Sequence, residues 1–315
     1  MKAFQRILFL CVLGTYLVIL AGAVVRGTGS GLGCPDWPRC FGQWVPPSDV
    51  SELPENYKEI YKISGKVIAD FDPFKTWTEY VNRLLGVILG FLVVLLFGQS
   101  FKLRNIDRNF PWYTGALLLL ILIQGGVGAL VVSTHLKPFI ITIHMFLAVL
   151  LLFGLMLLSK YCHDLEDSSI QQPNDPKAFS LSRILVYLAF FQVLMGTQVR
   201  QNVDHLLRDT MEATRSTVIE LLSPLFYVHR SFSVLIVGLM IYLLFHLHRS
   251  RYNRSAFGLC FLALIATAGN IGTGIILNYF NFPREAQPLH LFFGIVTLGF
   301  LYRLFLNLKG SLLED

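Results

Sequence analysis

Long apolar runs dominate the chain, rather than the alternating or one-faced patterns of a water-soluble fold. Eight stretches are mostly apolar, near residues 7–25, 78–98, 112–133, 139–159, 183–200, 225–246, 256–277 and 288–307. Each matches the roughly 20 residues that a helix needs to cross a bilayer. The run at 183–200 is the least hydrophobic. The first run follows Lys2 and Arg6, as a signal peptide would, but Val25-Arg26-Gly27 closes it in place of a small-residue cleavage site. It is therefore read as a span.

Composition agrees with the pattern: 54% of the 315 residues are hydrophobic and only 15% are charged. A soluble domain carries roughly 25% charged residues, so a soluble enzyme, a disordered chain and a small disulfide-stapled domain are excluded. The net charge of +6 forms no long basic run, which argues against nucleic acid as a partner and for membrane topology. The short loop 99–110 carries Lys102, Arg104 and Arg108 against Asp107, and the loop 247–254 carries Arg249, Arg251 and Arg254 with no acid. Both are expected to be cytoplasmic, and eight spans then put both termini on that side. The long segment 26–77, with seven acidic and six basic residues, is expected outside.

The chain repeats itself. Tyr80-Val81-Asn82-Arg83 matches Tyr227-Val228-His229-Arg230, 147 residues later, and His144 matches His290, 146 residues later. Gly125 and Gly128 pair with Gly269 and Gly272. Gly22, Val25 and Arg26 pair with Gly196, Val199 and Arg200. The expected fold is an all-α integral membrane protein of eight transmembrane helices, arranged as two same-orientation four-helix bundles in a tandem pseudo-repeat. The first bundle takes 1–160, a cytoplasmic linker 161–182, and the second 183–315. Repeats with an even number of spans differ from the inverted repeats of many transporters.

Ionisable residues inside a membrane are costly and point to function. His144, His229 and His290 fall within about two helical turns of the outer starts of their spans, roughly 5–10 Å along each axis. In the second half, His229 and His290 stand on parallel spans and are expected to face each other as axial ligands of a heme iron. The alternative for a lone histidine is a hydrogen-bonded packing role. The first half departs twice: Asn82 stands where His229 has its counterpart, and Glu79 stands opposite Phe226. Glu79, Asn82, Arg83, Gly86 and Gly90 form a polar-to-small stripe at helical spacing, with a Glu79–Arg83 ion pair as the structural alternative. A two-histidine half suits electron transfer, and a half with a carboxylate and incomplete ligation suits chemistry. Arg26, Arg83, Arg200 and Arg230 at the outer ends are candidate partners for anionic propionates, or else interfacial anchors. Gln124, Gln198 and Asn270 are expected to cross-link helices, and His135, His163, His205, His246 and His248 to be surface residues.

Of five cysteines, Cys34 and Cys40 lie in the outer segment, in Cys-Pro-Asp-Trp-Pro-Arg-Cys. The outside of a bacterial cell is oxidising and two prolines favour a turn, so a disulfide is the functional reading. Unlinked thiols are the alternative, and a metal site lacks nearby histidines. Cys11, Cys162 and Cys260 are read as inert.

These residues, in order and across essentially the whole chain, resemble the heme A synthase family. The resemblance is carried by Gly22-Ala23-Val24-Val25-Arg26-Gly27-Thr28-Gly29-Ser30-Gly31 running into the cysteine loop, by Glu79-Tyr80-Val81-Asn82-Arg83, by the His144 segment, by Tyr227-Val228-His229-Arg230 and by Pro288-Leu289-His290. It implies a bacterial inner-membrane oxidoreductase that converts the C8 methyl of heme O to a formyl group through hydroxylated heme I. His229 and His290 would hold heme B, the first half would take heme O, and Glu79 would be catalytic. The cysteine pair would be redox-active or structural. Heme O synthase is an implied partner, the electron donor is unnamed, and a homo-oligomer is allowed. The family pattern has a histidine at the Asn82 position. Substrate heme here would then be five-coordinate on His144, or Asn82 would hold a water at the sixth position or hydrogen-bond the hydroxyl of heme I. A membrane b-type cytochrome, a transporter of heme or another anion, and a non-catalytic assembly factor are the competing readings.

Overall fold

The computed structural model describes residues 1–166, 175–209, 217–250 and 254–309. Among them the chain is helical: α1 (Lys2–Thr28), α2 (Tyr57–Ile60), α3 (Pro73–Ser100), α4 (Phe110–Ser133), α5 (Pro138–Glu166), α6 (Pro176–Asp209), α7 (Pro224–Arg249), α8 (Arg254–Tyr279) and α9 (Ala286–Leu308). All except α2 are long and apolar enough to cross a membrane, and each of the eight expected spans falls in one of them. Residues 167–174 of the expected linker, and Arg251, lie outside the described residues.

The helix starts follow from local chemistry. Pro73, Pro111, Pro138, Pro176 and Pro224 all stand in first turns, where the missing N–H costs nothing and the fixed φ suits a helix. Asp72 caps α3 by accepting from the Lys75 N–H, and Asp175 does the same for α6 through Ala178. Helix α1 ends at Gly29, whose φ of 69° lets the Gly29 and Ser30 N–H groups fold back onto the Arg26 and Val25 carbonyls.

The chain divides into two compact units, Met1–Leu155 and Met156–Asp315. In the first, α3 packs on α1 and on α4. The α5 segment of this unit lies on α4, where a Cβ on Gly154 would come within 2.6 Å of Leu117. In the second, α6 packs on α7 and α9, and α8 on α7 and α9, around fully buried Leu185, Met240, Leu243, Ile295 and Leu298. Outward faces stay apolar: Phe91 is 67%, Leu122 64% and Val234 71% exposed. Water would not tolerate that surface, whereas lipid solvates it, and helices keep every backbone group paired there.

Two helical hairpins turn alike. The α4–α5 connection carries consecutive left-handed residues at His135 (φ 58°) and Leu136 (φ 59°), and the α8–α9 connection carries them at Asn281 (φ 57°) and Phe282 (φ 53°). The two pairs are 146 residues apart, the same separation as His144 and His290.

Candidate functional site

Four glycines make room for the four positions singled out by the repeat. A Cβ on Gly196 would stand 3.2 Å from the His229 ring, one on Gly274 3.2 Å from the His290 ring, and one on Gly128 3.3 Å from the His144 ring. Gly22 is set against the Asn82 amide, 3.7 Å from Oδ1. In positional terms Gly128 therefore corresponds to Gly274, two residues beyond the Gly272 that sequence pairing gave. At the three histidines a Cβ would force the ring to give by a few tenths of an ångström, whereas 3.7 Å at Gly22 is ordinary contact.

A second set of contacts anchors the backbone of each histidine. Gln124 Nε2 donates to the His144 carbonyl (3.0 Å), Gln192 Nε2 to the His229 carbonyl (2.8 Å) and Asn270 Nδ2 to the His290 carbonyl (2.5 Å). Gln124 and Asn270 cross-link helices as expected. Gln192 was missed, and its signal was an amide within the weakest apolar run. Gln198 Nε2 donates to Thr197 Oγ1 on its own helix (3.4 Å).

In the second unit the His229 and His290 rings face each other with centroids 6.2 Å apart and planes at 74°. Two metal–imidazole bonds of about 2.0–2.1 Å each, plus the depth of each ring, require roughly this separation. The His290 Nδ1 lies 2.9 Å from the Asn270 carbonyl, which can only accept, so Nδ1 carries the proton and Nε2 keeps its lone pair. His229 Nδ1 is buried without a hydrogen-bond partner among the described residues, as is His144 Nδ1 in the first unit. No group of three or more His, Cys, Asp or Glu among the described residues could hold a bare ion. A facing pair of imidazoles is a two-donor set, which suits an iron whose other four donors come from a macrocycle.

In the first unit the corresponding pocket is polar and covered. Glu79 is 3% exposed. Its Oε2 accepts from the Cys34 N–H (3.0 Å) and its Oε1 from Arg83 Nη2 (2.5 Å). Arg83 Nη2 also donates to the Cys34 carbonyl (2.8 Å), and Nη1 to the Asp36 (2.6 Å) and Arg39 (3.0 Å) carbonyls. Asn82 Oδ1, one turn away, is buried and has no hydrogen-bond partner among the described residues.

The cover is the outer segment. Cys34 and Cys40 form a disulfide, and their loop winds around Asp36, whose carboxylate accepts from the Phe41 (2.6 Å) and Gly42 (2.8 Å) N–H groups. Thr76 Oγ1 donates to the Gly33 carbonyl (2.9 Å), and a Cβ on Gly33 would come within 2.5 Å of the Lys75 carbonyl oxygen, so loop backbone lies directly on α3 backbone. Cys34, Cys40, Phe41, Leu53 and Tyr57 form a small buried core of their own.

The four arginines differ. Arg83 is engaged by protein oxygens. Arg200 pairs with Asp204 (2.8 Å) and lies over the Phe282 ring. Arg230 is exposed and lies over Phe226 and Tyr227. Arg26 is half-buried in the last turn of α1. Of the histidines expected at the surface, His246 is instead bound to Asp175 (2.8 Å).

The fold and site define a multi-pass membrane protein of two helical units, one with a facing imidazole pair and one with a buried carboxylate beneath a disulfide loop. The chain belongs to the COX15-CtaA family, described as cytochrome oxidase assembly protein, whose profile matches residues 5–302. Among curated relatives it is similar to the heme A synthase of Shewanella oneidensis, with 34% identity over 42% of this chain and 37% of that protein. It is similar to that of Rickettsia bellii strain RML369-C, with 26% identity over 98% and 99%, and to that of Alkalihalophilus pseudofirmus, with 23% identity over 88% of each. Against the Shewanella oneidensis, Nitrosospira multiformis and Ehrlichia canis proteins, the chain spans less than half of the relative's length.

Proposed function

We propose that this chain is a heme A synthase of the bacterial inner membrane, oxidising the C8 methyl of heme O to a formyl group through the hydroxymethyl stage. The observation that carries the reading is the asymmetry between units: a facing imidazole pair at 6.2 Å in one, and Glu79, Asn82 and His144 in the other. In the second unit His229 and His290 would hold heme B. Bound there, heme B would supply a one-electron relay.

His290 is ready to ligate through Nε2, because the Asn270 carbonyl holds its Nδ1 proton. Gly196 and Gly274 let the two rings stand close to their neighbouring helices. In the first unit His144 is the ligand for substrate heme, and Asn82 offers an amide oxygen where the second unit offers an imidazole. Each oxidation stage removes two electrons, which pass to an external acceptor, and two protons; at the first stage a water molecule adds its oxygen to the methyl carbon. Glu79 is the buried group able to accept a proton or to offset positive charge on that carbon. Arg230 and Arg26 are the guanidinium candidates for propionates at the outer face. The matching glycine, amide and turn geometry of the α4–α5 and α8–α9 hairpins supports a tandem pseudo-repeat of two same-orientation bundles. The loop charges support cytoplasmic termini and heme sites toward the outer face.

The test is heme extraction with mass identification after co-expression with a source of heme O. Heme B together with heme A or hydroxylated heme O is expected. Heme B alone, with heme O left unchanged, would replace the reading with a b-type electron carrier.

A further inference from the structure

We propose that Arg83 is a positioning residue for Glu79 and not an anchor for a substrate propionate. It clamps the disulfide loop over the outer part of α3 and fixes the carboxylate between the loop backbone and its own guanidinium. The proposal rests on the reading of Glu79 as the carboxylate at the reacting site.

Arg83 has five N–H donors, and the four on its two terminal nitrogens meet four protein oxygens. Three are main-chain carbonyls of the disulfide loop and the fourth is Glu79 Oε1. A propionate would need two parallel N–H groups and would have to break this set. The bonds also close a ring. Arg83 Nη2 holds both the Cys34 carbonyl and Glu79 Oε1, while the Cys34 N–H holds Glu79 Oε2. Cys34 is fixed in turn by the disulfide to Cys40, and its neighbour Gly33 by Thr76. The carboxylate therefore cannot swing without moving the loop. In the second unit, Arg230 at the matching position is exposed and lies over the Phe226 and Tyr227 rings. A lysine at position 83 would carry the charge, but a single ammonium cannot span four oxygens set around a fork.

The test uses the purified full chain and its Arg83→Gln and Arg83→Lys variants, with the heme B spectrum of the second unit as the control for folding. Turnover is measured with heme O and with its propionate diester. Binding of heme O is followed by optical titration. The cysteines are probed by a water-soluble dithiol followed by alkylation. For Arg83→Gln, kcat is expected to fall about 100-fold, the scale of a misplaced reacting group. KM and binding stay unchanged, and the loss is the same with the diester. Arg83→Lys recovers only part of the rate. Cys34 and Cys40, buried in the wild type, become reducible in Arg83→Gln. Weaker binding of heme O at unchanged kcat, with no such difference for the diester, would make Arg83 a propionate anchor and overturn the proposal. Unchanged cysteine protection in a variant that keeps its heme B spectrum would overturn the clamp. A wild-type chain that leaves heme O untouched rejects the parent reading and the role toward a reacting carboxylate, while the alkylation pattern still decides the clamp.

Discussion

The ends of the two units that carry Glu79 and Phe226 are built from opposite materials. In the first, a disulfide loop brings backbone N–H and carbonyl groups down onto α3, and Glu79 and Arg83 use them. In the second, Phe226 stands at the position of Glu79 and packs against an apolar cluster of Val203, Val218, Leu222, Leu277, Phe282 and Ala286. A buried carboxylate needs hydrogen bonds and a counter-charge before it is tolerable, and the loop and Arg83 supply both to Glu79. An apolar cluster needs none. The same helical framework thus accommodates a polar end around a buried ion pair and an apolar end around Phe226.

The largest expected effect is on the second unit. His290→Ala removes one of the two facing imidazoles. It is expected to abolish the six-coordinate low-spin heme B spectrum and to bring product below detection. An unchanged spectrum would break the comparison at its base. Next is Glu79→Gln, which keeps the shape but not the acid/base group. Turnover should fall by about 10²- to 10⁴-fold with the heme B spectrum intact, read by heme extraction. Unchanged heme A output would show the two outer ends to be chemically equivalent after all.

Gly33→Ala tests the seating of the loop on α3. Its Cβ would meet the Lys75 carbonyl at 2.5 Å, and backbone cannot step aside as a side chain can. A loss of about 1–3 kcal/mol is expected, the usual cost of overpacking, measured as earlier reduction of the disulfide in a denaturant series. Asn82→His sharpens the comparison by making the first unit resemble the second. With heme O bound, a second low-spin, six-coordinate signal should appear, and a spectrum identical to wild type would show that Asn82 does not face the iron.

The smallest effect lies at the start of α6 in the second unit. Burial alone would raise the Asp175 carboxyl, but the Ala178 N–H and the His246 ring outweigh it and set its pKa below the ordinary 3.8. A depressed folded-state pKa stabilises above the ordinary value, and that stabilisation is lost as pH falls through the lower folded value. Acid below about 3.8 is therefore expected to loosen the start of α6. Asp175→Asn should remove this acid sensitivity, as followed by proteolysis of the segment before Pro176.

Much of this was legible in the chain. The eight spans were visible because a bilayer demands an uninterrupted apolar length, which sequence reports directly. The mismatch of Glu79 with Phe226 was visible because a repeat makes each half a reference for the other. Other features were not legible. The glycine against His290 is Gly274 rather than Gly272, since two glycines in one small-residue run cannot be ranked until the hairpin turn sets their register. Gln192 escaped notice because an amide in a span has many carbonyls within reach. Arg83 was grouped with three other arginines because a guanidinium at an outer helix end reads the same whether it meets a propionate, an aromatic ring or a backbone.

By itself the sequence determined the solvent, the number of crossings and the identities of the groups that water would not have forced to pair. It set one unmatched carboxylate, three imidazoles within spans and two cysteines in the segment after the first span. The tertiary structure decided what each group is bound to. The fold brought His229 and His290 to 6.2 Å, and it set the loop carbonyls of Cys34, Asp36 and Arg39 around Arg83. Residue type limits what a side chain can donate or accept, but partners distant in sequence are chosen only when packing brings their backbones together.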